Sequence, residues 1–172
     1  MIILGLDPGK TTGAVLYDSV KQEVLAWWEW NCADEGYDPS VRGISALVVG
    51  HEVATMFSAM RHGFPVADGL DVDAIHTVVM EAWEFRHNDF AVDANYAAGP
   101  IGVVQWLCHD EGIDIVLQKP FKRSRVTDPQ LKETGLWIRG GKGHARQALK
   151  HVLSYLLTQR DKATQEKLFP RS

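Results

Sequence analysis

Two cysteines, Cys32 and Cys108, are all the thiol chemistry in this 172-residue chain. They are too few for a disulfide framework and form no paired motif of the zinc-binding kind, so a reducing compartment, the cytoplasm, is expected. No apolar run approaches the ~18 residues of a membrane span. The N-terminus has no basic stretch followed by an apolar segment and a small-residue cleavage site, so no signal peptide is expected. Repeats, low-complexity tracts and Pro/Gly/Ser-rich linkers are also missing. A single domain over 1–172 is expected, long enough to bury a full core.

Basic residues are scarce over most of the chain. Residues 1–118 hold five Lys/Arg against eighteen Asp/Glu, a balance of −13. Residues 119–172 hold the other thirteen Lys/Arg and only four Asp/Glu, a balance of +9 within a net charge of −4. Such asymmetry points to a polyanion partner or to a basic face that only keeps the fold in solution, and charge alone does not choose.

MIILGLD predicts a short buried strand that ends on Asp7, beside a turn bracketed by Gly9 and Gly13. GAVLYD and KQEVLAWWEW predict two more strands in an antiparallel meander, with Trp27, Trp28 and Trp30 assigned to core and sheet surface. Asp38-Pro39 supplies an N-cap and a first-turn proline for an amphipathic helix to about Arg61. AIHTVVME predicts a strand ending at Glu81, followed by a polar and aromatic loop, AWEFRHNDFAVDA. NYAAGPIGVVQWLCHDEG predicts a helix that Gly99-Pro100 disturbs or restarts. DIVLQ is a fifth strand, Asp128-Pro129 caps a short turn that Gly135 ends, and GHARQALKHVLSYLLTQR is the strongest helical pattern. The last dozen residues are charged and expected to fray. The order βββαβαβα gives an α/β fold, a mixed five-stranded sheet with helices on both faces.

In such a sheet, strand ends near a topological switch converge from distant parts of the chain. If the first and fourth strands are neighbours, Asp7 and Glu81 lie side by side. Two close carboxylates repel unless a cation joins them. Oxygen ligands of this kind suit Mg²⁺ or Mn²⁺, and two such ions ~4 Å apart can activate water against a phosphodiester. Asp7 before Pro-Gly is equally a turn-forming residue. Glu81 after Val-Val-Met is harder to explain without a partner. His144, Gln147 and His151 share one face of the last helix. His144 stands at the helix start beside the basic loop GGKGHAR, whereas His151 is assigned a structural role.

These segments carry a resemblance. MIILGLDPGKTTG resembles the first strand of the RuvC family of Holliday-junction resolvases, which have a ribonuclease-H-like fold, and VVMEAWEF resembles that family's second acidic segment. ANYAAGPIGVVQWL looks like its dimer-interface helix and GKGHARQALKHVL like its final active-site helix, with the shorter bacteriophage members nearest in kind. The resemblance covers most of the chain. It implies a homodimer, without membrane contact, that binds four-way junctions and other branched DNA. It implies a crossover junction endodeoxyribonuclease of the host bacterial cytoplasm that leaves 5′-phosphate and 3′-hydroxyl ends. It implies a catalytic metal site of Asp7, Glu81, His144 and Gln147, holding two Mg²⁺ that Mn²⁺ replaces. The family usually has Asp where this chain has the neutral Gln147. Three explanations stay open: altered metal preference, an introduced inactivating change, or a weak nuclease that acts mainly as a junction-binding architectural protein.

Lys119, Lys122, Arg123, Arg125, Arg139, Lys142 and Arg146 place seven cations within 28 positions, a nucleic-acid-binding set flanking that site. Phe85 and Phe90 either stack on unpaired bases at a branch point or pack in the protein. A third function class, an actin-like ATPase, shares the DxGxTxG pattern, but it needs two such domains to enclose a nucleotide, which 172 residues hardly supply.

Overall fold

The computed structural model describes residues 1–31, 44–67, 70, 74–82, 91–119 and 125–170, with the backbone alone at 44 and 91–97. Strands β1 (Ile2–Asp7), β2 (Thr11–Asp18) and β3 (Glu23–Asn31) come first. Helix α1 (Ile44–Arg61), β4 (Thr77–Glu81), α2 (Ala91–Glu111) and β5 (Asp114–Gln118) follow. Helices α3 (Asp128–Glu133), α4 (His144–Thr158) and α5 (Lys162–Leu168) complete the order. The sheet order is β3-β2-β1-β4-β5, with antiparallel pairing among the first three strands and parallel pairing of β1 with β4 and β4 with β5. This is the mixed five-stranded sheet expected from the chain order.

Strand alternation sorts the apolar residues into two cores. Leu4, Leu6, Ala14, Leu16, Val78 and Met80 face α1 and α2. Ile3, Val15, Tyr17 and Val79 face α4, which meets them with Ala148, Leu149, Val152 and Leu156. The β-branched runs of β1, β2 and β4 thus pack on both sides, as strands covered by helices on each face must. Trp28 and Trp30 stack at 6.4 Å, centroid to centroid, on the α1 side. Trp27 points the other way and remains 37% exposed.

Several local expectations are corrected. Helix α2 begins at Ala91 and runs unbroken through Pro100. Proline removes one backbone donor, and the buried packing of Pro100, Ile101 and Val104 outweighs that single lost bond. Helix α3 is capped by Thr127 rather than Asp128, in a reciprocal capping box with Gln130. The last dozen residues are not frayed throughout. The Asp161 carboxylate accepts the Thr164 N–H, and α5 buries Thr164 and Leu168. Lys167 Nζ donates to the Gln22 carbonyl at 2.6 Å, fastening α5 to the β2–β3 turn. The expected cap at Asp38-Pro39 lies outside the described residues.

Candidate functional site

The strand register builds the site. Asp7 pairs with Gly13, Gly13 with Glu29, and Glu81 with Gln118. Leu6 pairs with Met80, so Asp7 and Glu81 are the next residues along two neighbouring parallel strands. Directly paired residues point to one face. Glu29, Gly13, Asp7, Glu81 and Gln118 therefore form one row across all five strands, and α4 lies over it.

Glycine at position 13 is required by that helix. A Cβ there would stand 2.1 Å from the His144 carbonyl carbon and 2.4 Å from the Ala145 nitrogen. On one side of this close approach, His144 Nδ1 lies 3.2 Å from Asp7 Oδ2. The Asp7 hydrogen bond raises the His144 pKa against the opposing effect of burial, helped by the charges of Asp7 and Glu29. On the other side, the Glu29 carboxylate accepts the backbone N–H groups of Lys142, Gly143 (2.8 Å) and Ala145 (3.2 Å). Burial raises its pKa, but these donors outweigh burial and leave it below its ordinary value. A carboxylate at this helix start also meets the positive end of the helix dipole.

Two turns further along α4, His151 is 2% exposed. Its Nε2 stands 3.0 Å from Glu81 Oε2 and its Nδ1 stands 3.3 Å from Gln118 Oε1. Each ring nitrogen thus faces a side-chain oxygen, so the ring is held between Gln118 and Glu81. Ligating histidines are commonly held in this way, with the second ring nitrogen donating to an oxygen. Ligand atoms of Asp7, Glu81 and His151 all lie within 4.8 Å of one another, a spacing that one or two divalent ions can bridge.

The structure thus brings Asp7, Glu81 and His144 to one place, with His151 added to them. Gln147 lies between the two histidines on α4 with an exposed side chain, and its backbone N–H bonds the Gly143 carbonyl. His151, assigned a structural role from the sequence, is buried between Gln118 and Glu81, and it also stands with Asp7 and Glu81 in the candidate metal group. Sequence reasoning also passed over Glu29 and Gln118. Gln118 closes β5 as Asp7 closes β1 and Glu81 closes β4, and that shared polar ending was the available signal.

Among the expected cations, Lys119, Arg125, Arg139 and Lys142 are exposed. Arg146 instead lies with its guanidinium 4.6 Å from the Trp137 ring centroid and donates to the Ile138 and Gly140 carbonyls, so it holds the loop before α4 in place. Lys122, Arg123, Phe85 and Phe90 lie outside the described residues. No helix among the described residues is long and apolar enough to cross a membrane.

No protein-family model matches the sequence, and no curated protein matches it. Solved structures do. Thermus thermophilus RuvC in complex with Holliday junction substrate superposes with a TM-score of 0.61 at 16% identity, over 95% of this chain and 97% of that one. A second Thermus thermophilus RuvC structure gives 0.59 at 17% identity, over 93% and 96%. The Fowlpox virus resolvase, solved with Holliday junction DNA, gives 0.54 at 11% identity, over 91% and 99%.

Proposed function

With the RuvC-like, ribonuclease-H-like fold as premise, we propose that this chain is a divalent-metal-dependent endonuclease that hydrolyses phosphodiesters in branched DNA, four-way junctions foremost. One observation carries the proposal. Asp7, Glu81 and His151 bring an oxygen, an oxygen and a nitrogen within 4.8 Å at the ends of adjacent strands, in a fold whose similar structures include two complexes with Holliday junctions.

The donor set suits a hard divalent ion. Asp7, Glu81 and His151 would hold it, and His144 and the Gln147 amide lie on the same helix to complete a two-ion site. Imidazole donors favour Mn²⁺ over Mg²⁺ more than an all-oxygen site does. A bound ion would lower the pKa of a water and stabilise charge on the phosphate. The chain's own groups do the rest. Strands β1 and β4 hold the carboxylates in fixed register, and Gln118 fixes the His151 ring. His144, bonded to Asp7, would serve either as a further ligand or as the proton donor to the leaving 3′-oxygen. Arg139 and Lys142, beside α4, would bind flanking phosphates, making affinity fall steeply with salt.

Cutting opposed strands of a junction requires two sites. Leu47 on α1 and Trp106 on α2, two helices packed together, are 58% and 64% exposed, and these apolar side chains would meet a second copy of the chain. The site of action would be the cytoplasm in which the DNA lies.

A second reading, junction binding without efficient cleavage, draws on the neutral Gln147. The deciding experiment compares the parent with Gln147→Asp, His151→Leu, Asp7→Asn and Glu81→Gln. Each is tested on a labelled four-way junction, a Y-fork and linear duplex, in Mg²⁺ and in Mn²⁺, with ion binding measured by calorimetry. Paired symmetric nicks by the parent, lost in Asp7→Asn and Glu81→Gln while junction binding persists, are expected. His151→Leu is expected to weaken ion binding at least tenfold. Activity only in Gln147→Asp would favour the second reading. Cleavage surviving both carboxylate changes would remove the site assignment, and absence of any junction preference would remove the proposal.

A further inference from the structure

We propose that the groove between the edge strand β3 and the loop entering α4 receives an unpaired nucleobase, stacked on Trp27, from the strand whose phosphate lies at the acidic cluster. This rests on the nuclease reading above and adds a substrate contact to it. The groove has a volume of about 400 Å³. Gln22, Glu23 and Trp27 line its strand side, and Trp137 and Arg139 line its loop side.

Packing does not account for Trp27. Its neighbours Trp28 and Trp30 stack on the α1 side of the sheet, whereas Trp27 is 37% exposed on the opposite side. That side is the one on which α4 lies, because Trp27 precedes Glu29 by two residues on the same strand. Two strand spacings and two residues of rise put Trp27 ~12 Å from Asp7, backbone to backbone. At ~3.4 Å of rise per nucleotide, that is a separation of three or four nucleotides along a stacked strand and fewer along an extended one.

The two indoles have different roles. Lys132 Nζ and the Arg146 guanidinium each stand 4.6 Å from the Trp137 ring centroid, so Trp137 is a braced wall. Gly140, at φ +92°, lets the loop close against the benzo edge of Trp27, where an added Cβ would come to 3.7 Å. The indole of Trp27 is the platform. Exposed Arg139 and Lys142 supply the positive charge that a nucleotide's phosphate needs. Glu23 on the rim is offset by Lys21 at 3.7 Å, and its carboxylate can accept from a base amino group. An aromatic platform with adjacent cations is the recurring arrangement for single-stranded nucleic acid.

The test is binding of a fluorescent four-way junction, in EDTA so that nothing is cut. The same junction is also made with single abasic sites scanned over four nucleotides on either side of the cleavage position. For the parent, one abasic site is expected to weaken binding about 5- to 100-fold. Trp27→Ala should weaken the intact junction by a similar factor and lose sensitivity to that abasic site, as two changes in one contact must. Trp27→Phe should recover most of the affinity. Tryptophan quenching by a dT oligomer, measured on parent and Trp27→Phe, provides a readout that does not require Trp27→Ala to fold. Its loss in Trp27→Phe is expected. Parent-like binding by Trp27→Ala, an abasic penalty that persists in it, or unchanged quenching in Trp27→Phe would overturn the groove and leave the nuclease reading standing. No junction binding by the parent would overturn both.

Discussion

Gly13→Ala is the sharpest test of how the site is assembled. The new Cβ would lie 2.1 Å from the His144 carbonyl carbon, 2.3 Å from its oxygen and 2.4 Å from the Ala145 nitrogen. All three are backbone atoms of the first turn of α4, so no side chain can rotate out of the way. Ordinary contact begins at 3.4 Å, and 3.4 − 2.1 leaves 1.3 Å by which helix and sheet must separate. That displacement acts on the 3.2 Å contact of His144 with Asp7 and on the bonds that Gly143 and Ala145 donate to Glu29. Overpacking costs ~1–3 kcal/mol, and loss of a hydrogen bond to a charged group ~1.5–3 kcal/mol. Together these give a loss of about 2.5–6 kcal/mol, expected in urea unfolding with the midpoint shifted at unchanged slope. Cleavage should fall by ~100-fold even where the protein stays folded, because a misplacement of ~1 Å has that effect in a positioned site. Gly102→Ala is the matched control. It lies within α2, nothing stands within 4 Å of its added Cβ, and a gain of ~0.5–1 kcal/mol is expected. If Gly13→Ala unfolds within about 0.5 kcal/mol of the parent, α4 does not rest on β2 as described.

Two further outcomes are expected. Glu29→Gln keeps the shape but removes the charge at the start of α4, and should cost about 1–2 kcal/mol at pH 7. Because the folded Glu29 pKa is lowered, its contribution is complete above the ordinary ~4.3 and is lost as pH falls through the lower folded value. The gap between parent and variant should therefore close in acid, and a gap that is flat with pH would contradict the assigned contacts. Trp106→Glu places a charge on the exposed face of α2. Light scattering should give a dimer for the parent and a monomer for the variant, and a monomeric parent would remove the second-copy assignment.

Much of the fold was legible because each site strand announces itself. An apolar run that ends on a single carboxylate needs that end to be solvated or paired, and Asp7 and Glu81 both follow this pattern. Their adjacency was a condition in the sequence reading, and the observed order β3-β2-β1-β4-β5 meets it. His151 was not legible in the same way. A histidine on the apolar stripe of α4 is an ordinary core residue until Glu81 and Gln118, 70 and 33 positions away, meet its two nitrogens. Glu29 lay hidden among three tryptophans, and its role depends on a helix more than a hundred residues later. The acceptor Asp161 and the two buried residues of α5 were masked by the charge around them. Pro100 misled in the other direction, since one missing donor was weighed without the packing that holds α2 together.

The row from Glu29 to Gln118 has a consequence for how the site is lost. Its members sit on every strand of the sheet, so fluctuation of a single loop does not disperse Asp7, Glu81 and Gln118. They part only when neighbouring strands part. The amides that anchor β1 and β4 should then exchange with solvent deuterium at the slow rate of the sheet as a whole, while those of the loop before α4 exchange sooner. The acidic pair would have the lifetime of the folded sheet, with only its His144 side open to faster motion.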